Sequence, residues 1–253
     1  MDTAVAKIYR YPVKGLSAQI LPEVVLTPGE GLPDDRRFAI THGASAYDAT
    51  EPGWRPKRDF LQLAKNERLA ALETDYDSST GSLTIRRNGR QVARGQITNP
   101  TGRLLINQFV AAYMKGEAPG TPCLVEAPEV MFSDTREKYV SILNAGSVAD
   151  IERVVNAPVD PVRFRANLLL EGLEPWVETK WIGHRIAIGD AVLEVVEQIG
   201  RCAATEVNPA TATRDINIPL ALQRGYSHRN CGVYARVIQG GRVALGDAAT
   251  LIE

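Results

Sequence analysis

Short runs in which apolar and polar residues alternate dominate the N-terminal part of the chain. Such runs occur at 5–9, 23–26 and 82–86, and Pro, Gly and Asn-Gly signals separate them. Alternation with a period of two is typical of half-buried β-strands. Asn88 and Gly89 both tolerate a positive φ, so this pair predicts a two-residue hairpin turn. The N-terminal part is therefore predicted to be antiparallel β-structure.

Apolar residues at helical intervals predict three short helices. The first follows Thr101, which is expected to cap it, and ends near Gly116. The second is predicted to start at Ser147, whose hydroxyl is expected to cap it, and the third to cover 220–224. Because strand patterns are more numerous than these three helices, the chain is predicted to be mainly β.

Two nearly repeated segments close the C-terminal half. "RIAIGDAVLEV" starts at Arg185 and "RVALGDAATLI" at Arg242, and each predicts a strand, a Gly-Asp turn and a second strand. Successive hairpins suit a closed or nearly closed sheet. The Pro- and Gly-rich segment 117–122 suggests a boundary between an N-terminal β domain, 1–116, and a second domain, 117–253. The fold class is predicted to be mainly β (α+β), with antiparallel β-barrel domains and a few short helices.

The composition is that of an ordinary globular protein. The 253 residues are 44% apolar and 23% charged, with a net charge of -1, so no bulk attraction to nucleic acid is expected. No apolar stretch approaches the about 20 residues that a membrane-spanning helix needs. The first residues carry no basic and apolar signal-peptide pattern. We therefore expect a cytoplasmic location, without nucleic-acid or membrane partners.

Cysteine usage directs attention to one position. The three cysteines form no C-x-x-C pattern and the three histidines no H-E-x-x-H pattern, which disfavours structural zinc, iron–sulfur clusters and a disulfide framework. Cys123 and Cys231 are interpreted as packing residues. Cys202 instead follows the apolar strand 191–196, where the chain turns into a polar loop. Arg201 is not expected to activate it, because neighbours on an extended chain point to opposite faces.

Five stretches in order along the chain carry a family resemblance. They are "YPVKGLS" from Tyr11, "DDRRFAI" from Asp34, "RFRANLLL" from Arg163, "GRCAATEVNPATA" from Gly200 and "CGVYARVIQGGRVALGDAATL" from Cys231. The chain resembles MOSC-domain proteins that have an N-terminal MOSC-associated β-barrel domain. Within that family it is most similar to the amidoxime-reducing proteins of mitochondria and their bacterial relatives.

This resemblance implies a molybdenum-cofactor site. Cys202 corresponds to the cysteine that ligates molybdenum and is the implied catalytic residue. The implied cofactor-binding residues are Lys14, Arg36, Arg58, Asn144, Ser147, Arg163, Arg165 and Asn167. The implied activity is oxygen-atom transfer that reduces small N-hydroxylated substrates. Because no ferredoxin-like segment follows, an electron-donor protein of the ferredoxin or cytochrome type is expected to act in trans.

The residue types suit that chemistry. A thiolate is a soft ligand for a redox-active metal, and Arg and Lys suit the phosphate of molybdopterin. Arg163, Arg165 and Asn167 alternate with other residues, so they are expected on one face of a strand. Two alternatives stay open at this point. The chain could be a non-catalytic carrier of molybdopterin or of a persulfide, or a β-barrel protein whose site has degenerated.

Overall fold

The computed structural model describes residues 3–44, 53–127 and 129–252. Within these ranges the chain is mostly β, with three α-helices. The strands are β1 (Ala4–Arg10), β2 (Gln19–Leu21), β3 (Glu23–Leu26), β4 (Phe38–Thr41), β5 (Glu73–Asp77), β6 (Ser82–Arg87), β7 (Arg90–Gln96), β8 (Cys123–Glu126), β9 (Val140–Asn144), β10 (Leu168–Glu171), β11 (Arg185–Ile188), β12 (Ala191–Gly200), β13 (Asn230–Gln239), β14 (Gly241–Ala244) and β15 (Ala249–Ile252). The helices are α1 (Pro100–Tyr113), α2 (Ala145–Val155) and α3 (Ile218–Tyr226).

A curled eight-stranded sheet forms the centre of the fold. Its strand order is β15-β11-β12-β13-β9-β10-β1-β2. All neighbouring pairs are antiparallel except β9 and β10, which run parallel because α2 lies between them in the chain. The mainly β fold class is confirmed, and the parallel pair is the one departure from an antiparallel sheet.

The predicted Asn88-Gly89 hairpin is confirmed. Both residues have positive φ, 52° and 71°, and Arg87 faces Arg90 across the turn. The strands on either side, β6 and β7, pair with β5 to form a three-stranded sheet. Apolar side chains such as Leu83 point from this sheet into the core, as the alternation requires.

The three helices occur where predicted, but asparagines rather than the expected residues cap them. The side chain of Asn99 accepts a hydrogen bond from the backbone N–H of Gly102, so Thr101 is not the cap of α1. Asn144 caps α2, which places Ser147 inside the helix. Asparagine is among the strongest N-cap residues, since its side-chain oxygen reaches the free N–H groups of the first turn. None of these described helices is long and apolar enough to cross a membrane.

The two repeated segments adopt different pairings. Ile188 pairs with Ala191, so the first copy forms the expected hairpin around Gly189 and Asp190. The second copy does not form one: β14 pairs with β3, and β15 pairs with β11. Successive hairpins are therefore wrong for the second copy. Asp247 accepts a hydrogen bond from the backbone N–H of Ala244 in the turn, and the strand after it leaves toward the edge of the main sheet.

Two large apolar cores account for most of the buried apolar residues described. One is formed under the eight-stranded sheet by residues of its strands together with β3 and β14. The other is formed by residues between 13 and 124, from the three-stranded sheet, α1 and neighbouring loops. The first strands, β1 and β2, belong to the same sheet as the C-terminal strands. The boundary between 116 and 117 stays a prediction.

Candidate functional site

Cys202 lies at the end of β12, where the chain leaves the main sheet. It immediately precedes a short 3-10 turn, Ala203–Glu206, and its carbonyl accepts hydrogen bonds from the backbone N–H and the hydroxyl of Thr205 at 3.0 and 2.9 Å. These bonds fix the backbone, while the residue is partly exposed. Cys202 lines a cavity of about 350 Å³. It is therefore anchored by its main chain at the wall of this cavity.

The cavity wall is strongly cationic. It draws residues from both parts of the chain, including the loops after β1, β3, β4, β8 and β12, the segment just before β10, and the strand β13. The cationic residues among those that line it are Lys14, Arg36, Lys57, Arg163, Arg165 and Arg201, and the acidic ones are Asp134 and Glu197. This excess of positive charge in a confined space favours an anionic ligand.

Two arginines of the cavity wall cover the buried ring of Tyr11, which does not itself line the cavity. The guanidinium carbons of Arg36 and Arg165 lie 4.5 and 4.2 Å from the ring centroid, which is a cation–π arrangement. Arg36 pairs with the carboxylate of Asp35 and donates to the carbonyl of Arg165 at 2.6 Å. Arg165 donates to the carbonyl of Leu16 at 2.8 Å. We refer to Tyr11, Asp35, Arg36 and Arg165 as the Tyr11 cluster.

The Tyr11 cluster contains polar atoms without partners. Among the described residues, nothing hydrogen-bonds to the buried hydroxyl of Tyr11 or to Nη2 of Arg165. Burial lowers the pKa of Arg165 to about 10 and raises that of Tyr11. An unpaired buried donor costs roughly 1–3 kcal/mol, so such groups are rare unless they serve a ligand.

Asp134 holds two lysines at the cavity wall. Lys14 Nζ lies 2.8 Å from Oδ1 of Asp134, and Lys57 Nζ lies 3.0 Å from Oδ2. Burial raises the pKa of Asp134, but the two ammonium groups outweigh this and hold it well below its usual range. Burial also lowers the pKa of Lys14, an effect that Asp134 opposes. The carboxylate thus fixes the direction of both lysines.

Arg201 precedes Cys202 and is held by neighbouring carbonyls. Its Nε lies 2.8 Å from the carbonyl of Cys231 and its Nη1 2.7 Å from the carbonyl of Phe164, whose ring it covers at 5.2 Å. Both Arg201 and Cys202 line the cavity. The expectation that Arg201 does not activate the thiol stays a prediction. Burial lowers the pKa of the Arg201 guanidinium.

The segment from Arg163 to Asn167 is not the strand that its alternation predicted. Pro161–Phe164 forms a 3-10 turn, and Arg165 has a φ of 53°. The turn forms because Asp160 caps it and Pro161 provides the fixed φ of a first helical residue. The strand β10 starts only at Leu168.

Arg163 and Asn167 nonetheless line the cavity, and they have different hydrogen-bonding partners. Arg163 pairs with Asp215 at 2.7 Å and donates to the carbonyl of Glu206, so it supports the turn after Cys202. Its Nε is buried without a partner among the described residues. Asn167 accepts from the backbone and the hydroxyl of Ser141 at 3.0 and 2.7 Å. Most of the hydrogen-bonding capacity of Asn167 therefore connects neighbouring strands.

Three of the residues implied by the resemblance lie away from the cavity. The side chain of Arg58 is 82% exposed, and the neighbouring Lys57 takes the cavity position instead. Asn144 and Ser147 are buried and donate to the carboxyl group of Glu178 at 2.8 and 2.7 Å. The structure brings together Lys14, Arg36, Arg163, Arg165, Asn167 and Cys202. It gives Arg58, Asn144 and Ser147 no position from which to touch a ligand there.

Four residues at the site were missed by reasoning from the sequence. Tyr11 begins one of the quoted stretches, Lys57 and Asp134 lie outside all of them, and Arg201 was set aside; none carries a local signal of its role. Of the other two cysteines, Cys231 is buried in an apolar core, as expected of a packing residue. Cys123 is exposed, so the packing interpretation is wrong for it. No group of three or more metal-binding His, Cys, Asp or Glu side chains occurs in the described ranges.

Two family models together match almost the whole chain. The model of the MOSC N-terminal beta barrel domain matches residues 2–124, and the MOSC domain model matches residues 127–250. The molybdenum cofactor sulfurase of Caenorhabditis elegans is 30% identical over 92% of this chain and 33% of its own length. The mitochondrial amidoxime-reducing component 1 of Homo sapiens is 30% identical over 44% of this chain and 32% of its own length. The chain thus spans 33% of the sulfurase it matches.

A solved structure of similar length agrees with this fold. The YUAD protein from Bacillus subtilis superposes over 99% of this chain and 96% of its own, with a TM-score of 0.50 and 14% sequence identity. At this identity the likeness supports the architecture alone. The YiiM protein from Geobacillus stearothermophilus covers 45% of this chain and 54% of its own, at 23% identity and a TM-score of 0.36.

Proposed function

The chain belongs to the MOSC-domain proteins, and on that premise we propose that it binds the molybdenum cofactor at Cys202 and reduces N-hydroxylated compounds. The relatives named above, a molybdenum cofactor sulfurase and an amidoxime-reducing component, support a function related to that cofactor. One observation carries the proposal for this chain. Partly exposed Cys202 and six cationic residues line a single cavity.

The residues present fit such a group. Molybdopterin carries a phosphate, and the unpaired Nη2 of Arg165 and Nε of Arg163 are donors that a phosphate or a pterin edge would satisfy. A single cysteine is a sufficient protein ligand where organic sulfurs of the cofactor complete the metal's coordination. Lys14 and the Tyr11 cluster would hold the anionic end, and Cys202 the metal end.

The chain's own residues bind and orient rather than carry electrons. When bound, the cofactor supplies a metal centre able to exchange two electrons and an oxygen atom. Asp134 holds Lys14 and Lys57 at the cavity wall, and Arg163 donates to the carbonyl of Glu206 in the turn after Cys202. The overall reaction consumes two electrons and two protons: an N–O bond breaks, an N–H bond forms and the oxygen leaves as water. The electrons come from a ferredoxin- or cytochrome-type protein acting in trans, in the cytoplasm.

Metal content tests the role of Cys202. The protein is produced in a host that makes the cofactor, and molybdenum and pterin are measured beside Cys202→Ser and Cys123→Ser. We expect Cys202→Ser to lose nearly all molybdenum, because the metal loses its protein ligand. Cys123→Ser, which changes an exposed thiol elsewhere, should retain it. Equal molybdenum in wild type and Cys202→Ser would overturn the proposal. Reduction of N-hydroxylated compounds with an artificial electron donor then tests the reaction.

A carrier role is the second candidate. The match to the sulfurase covers far more of this chain than the match to the amidoxime-reducing component, 92% against 44%. A carrier would use the same thiol to hold molybdopterin or a persulfide. The intact mass separates the two roles: a persulfide makes the Cys202 peptide about 32 Da heavier. A loaded protein without reductase activity and with that added mass would favour the carrier.

A further inference from the structure

Arg214 connects two segments of the cavity wall, although it does not itself line the cavity. Its Nη2 donates to the carbonyls of Leu63 and Ala64 at 3.2 and 3.0 Å, and its Nη1 donates to the carbonyl of Ala203 at 2.9 Å. Leu63 lines the cavity from the N-terminal part of the chain. Ala203 follows Cys202, which lines it from the C-terminal part. One guanidinium is therefore hydrogen-bonded to the backbone of both segments.

The charge of Arg214 is balanced within the protein. Its Nε donates to the carboxylate of Glu67 at 2.7 Å, and its Nη1 lies 3.1 Å from Oε2 of Glu206. Every nitrogen of this guanidinium thus has an acceptor. Arg163 and Arg165 differ, because each keeps a buried nitrogen without a partner among the described residues. Arg214 is consequently suited to hold protein segments together and not to bind a ligand.

Arg214 makes all the polar contacts between these segments in the described part of the chain. Every hydrogen bond or ion pair found there between residues 62–67 and 200–215 comes from it. The backbone bonds of loop 62–67 are local: the N–H groups of Lys65 and Asn66 donate to the carbonyl of Gln62. Local bonds of this kind do not fix a loop relative to a distant segment. Removal of Arg214 would therefore leave loop 62–67 without a polar connection to the turn after Cys202.

We propose that Arg214 is a positioning residue that holds loop 62–67 against the turn after Cys202 and so slows the release of the ligand from the cavity. This rests on the proposed function, in which the ligand is the molybdenum cofactor. A ligand enclosed between two chain segments leaves when local opening separates them. A contact that makes this opening rarer lowers the dissociation rate. The cavity cations attract the cofactor, whereas Arg214 determines how long it stays bound.

Hydrogen exchange of the cofactor-free protein tests the connection itself. Arg214→Met removes all the donors, and Arg214→Lys keeps the charge but replaces the planar fork with a single nitrogen. Arg242→Met is the matched control, because Arg242 pairs with Glu23 away from the cavity. We expect both Arg214 variants to speed exchange at 65–66 about ten-fold. Exchange at 205–207 should rise less, since Arg163 also holds that turn, and Arg242→Met should change neither.

Release of pterin from the loaded protein tests the consequence. Wild type and the variants are produced in a host that makes the cofactor and transferred to cofactor-free buffer, and the pterin still bound is measured over time. We expect the half-life of bound pterin to be about ten-fold shorter in both Arg214 variants and unchanged in Arg242→Met. Exchange in β12 should be the same in all of them. A residue that only stabilised the fold would instead speed exchange in β12 as much as in loop 62–67.

The two measurements separate the possible outcomes. Unchanged exchange at 65–66 in Arg214→Met would show that Arg214 does not hold the loop, and unchanged pterin release despite faster exchange would show that this contact does not control the ligand. Either result overturns the inference. Absence of pterin from wild type would overturn the proposed function, and with it the ligand named here. The exchange measurement needs no cofactor, so it reports on Arg214 independently of that result.

Discussion

Two polar clusters in the interior of this protein contrast in how fully they are satisfied. Around Glu178, both carboxyl oxygens accept hydrogen bonds, from Asn144 and Ser147, and the hydroxyl of Ser147 also accepts from the backbone of Trp176. In the Tyr11 cluster, the hydroxyl of Tyr11 and Nη2 of Arg165 have no partner within the described part of the chain. The first cluster is complete by itself, and the second is not.

This difference distinguishes a cluster that stabilises the fold from a cluster that is suited to bind a ligand. A complete buried network holds its elements together, here α2, the end of β9 and the 3-10 turn Val177–Trp181. An incomplete one costs free energy in the isolated protein, and it persists where a ligand repays the cost. Both clusters are polar and lie in the interior, with Arg36 and Arg165 only partly buried, so the partner of each donor is what distinguishes them most clearly.

The largest effect is expected from breaking the complete network. Glu178→Ala removes the acceptor for Asn144 and Ser147 and leaves two buried donors unpaired. We expect the free energy of unfolding to fall by about 3 kcal/mol, measured by urea denaturation. Glu174→Ala, at an exposed position in the same loop, should change it by less than about 0.5 kcal/mol. Similar losses for the two variants would show that the Glu178 network does not stabilise the fold.

An intermediate effect is expected at the incomplete cluster, on binding rather than on stability. Arg165→Met removes a buried cation that the protein satisfies only in part, so the free energy of unfolding should change by less than about 1 kcal/mol. Pterin retained by the purified protein should fall about ten-fold, because a charge-assisted hydrogen bond to the phosphate is lost. Arg58→Met, a surface cation, should retain pterin fully. A large loss of stability without loss of pterin would make Arg165 a structural residue.

The sequence predicted the features that depend on neighbouring residues, and it did not predict those that depend on distant partners. Strands, helices and the Asn88-Gly89 turn depend on local alternation, capping and φ preference, and these were found. Cys202 stood out because a polar loop follows its strand. Asn144 and Ser147 were implied as cofactor contacts by the family resemblance. Their partner, Glu178, lies about thirty residues away, and only the folded chain brings it to them.

Two short segments, one at Lys57 and Arg58 and one from Arg163 onward, were predicted wrongly from local patterns. Arg58 and Lys57 are adjacent cations, and nothing in the sequence shows which of them faces inward; a 3-10 turn, Lys57–Asp59, decides it. Alternation from Arg163 onward indicated a strand, but the Asp160-Pro161 pair starts a turn instead, and a residue with positive φ follows. In both cases a short turn overrides the pattern, and turns of this length leave little periodicity to detect.

The smallest effect on stability is expected at Asp134. Its carboxylate pairs with two cations of the cavity wall, so it belongs to the site and also has its hydrogen-bonding partners within the protein. Lys14 and Lys57 hold its pKa below the usual range against the effect of burial. The ion pairs therefore contribute stability above the ordinary Asp pKa of about 4 and lose it as the pH falls below that value. With its side chain 44% exposed, the contribution is below about 1 kcal/mol. Asp134→Asn should thus be less stable than wild type at pH 7, and this difference should shrink toward pH 3 when urea midpoints are compared. A difference that stays constant between these pH values would mean that the carboxylate charge of Asp134 does not hold the lysines in place.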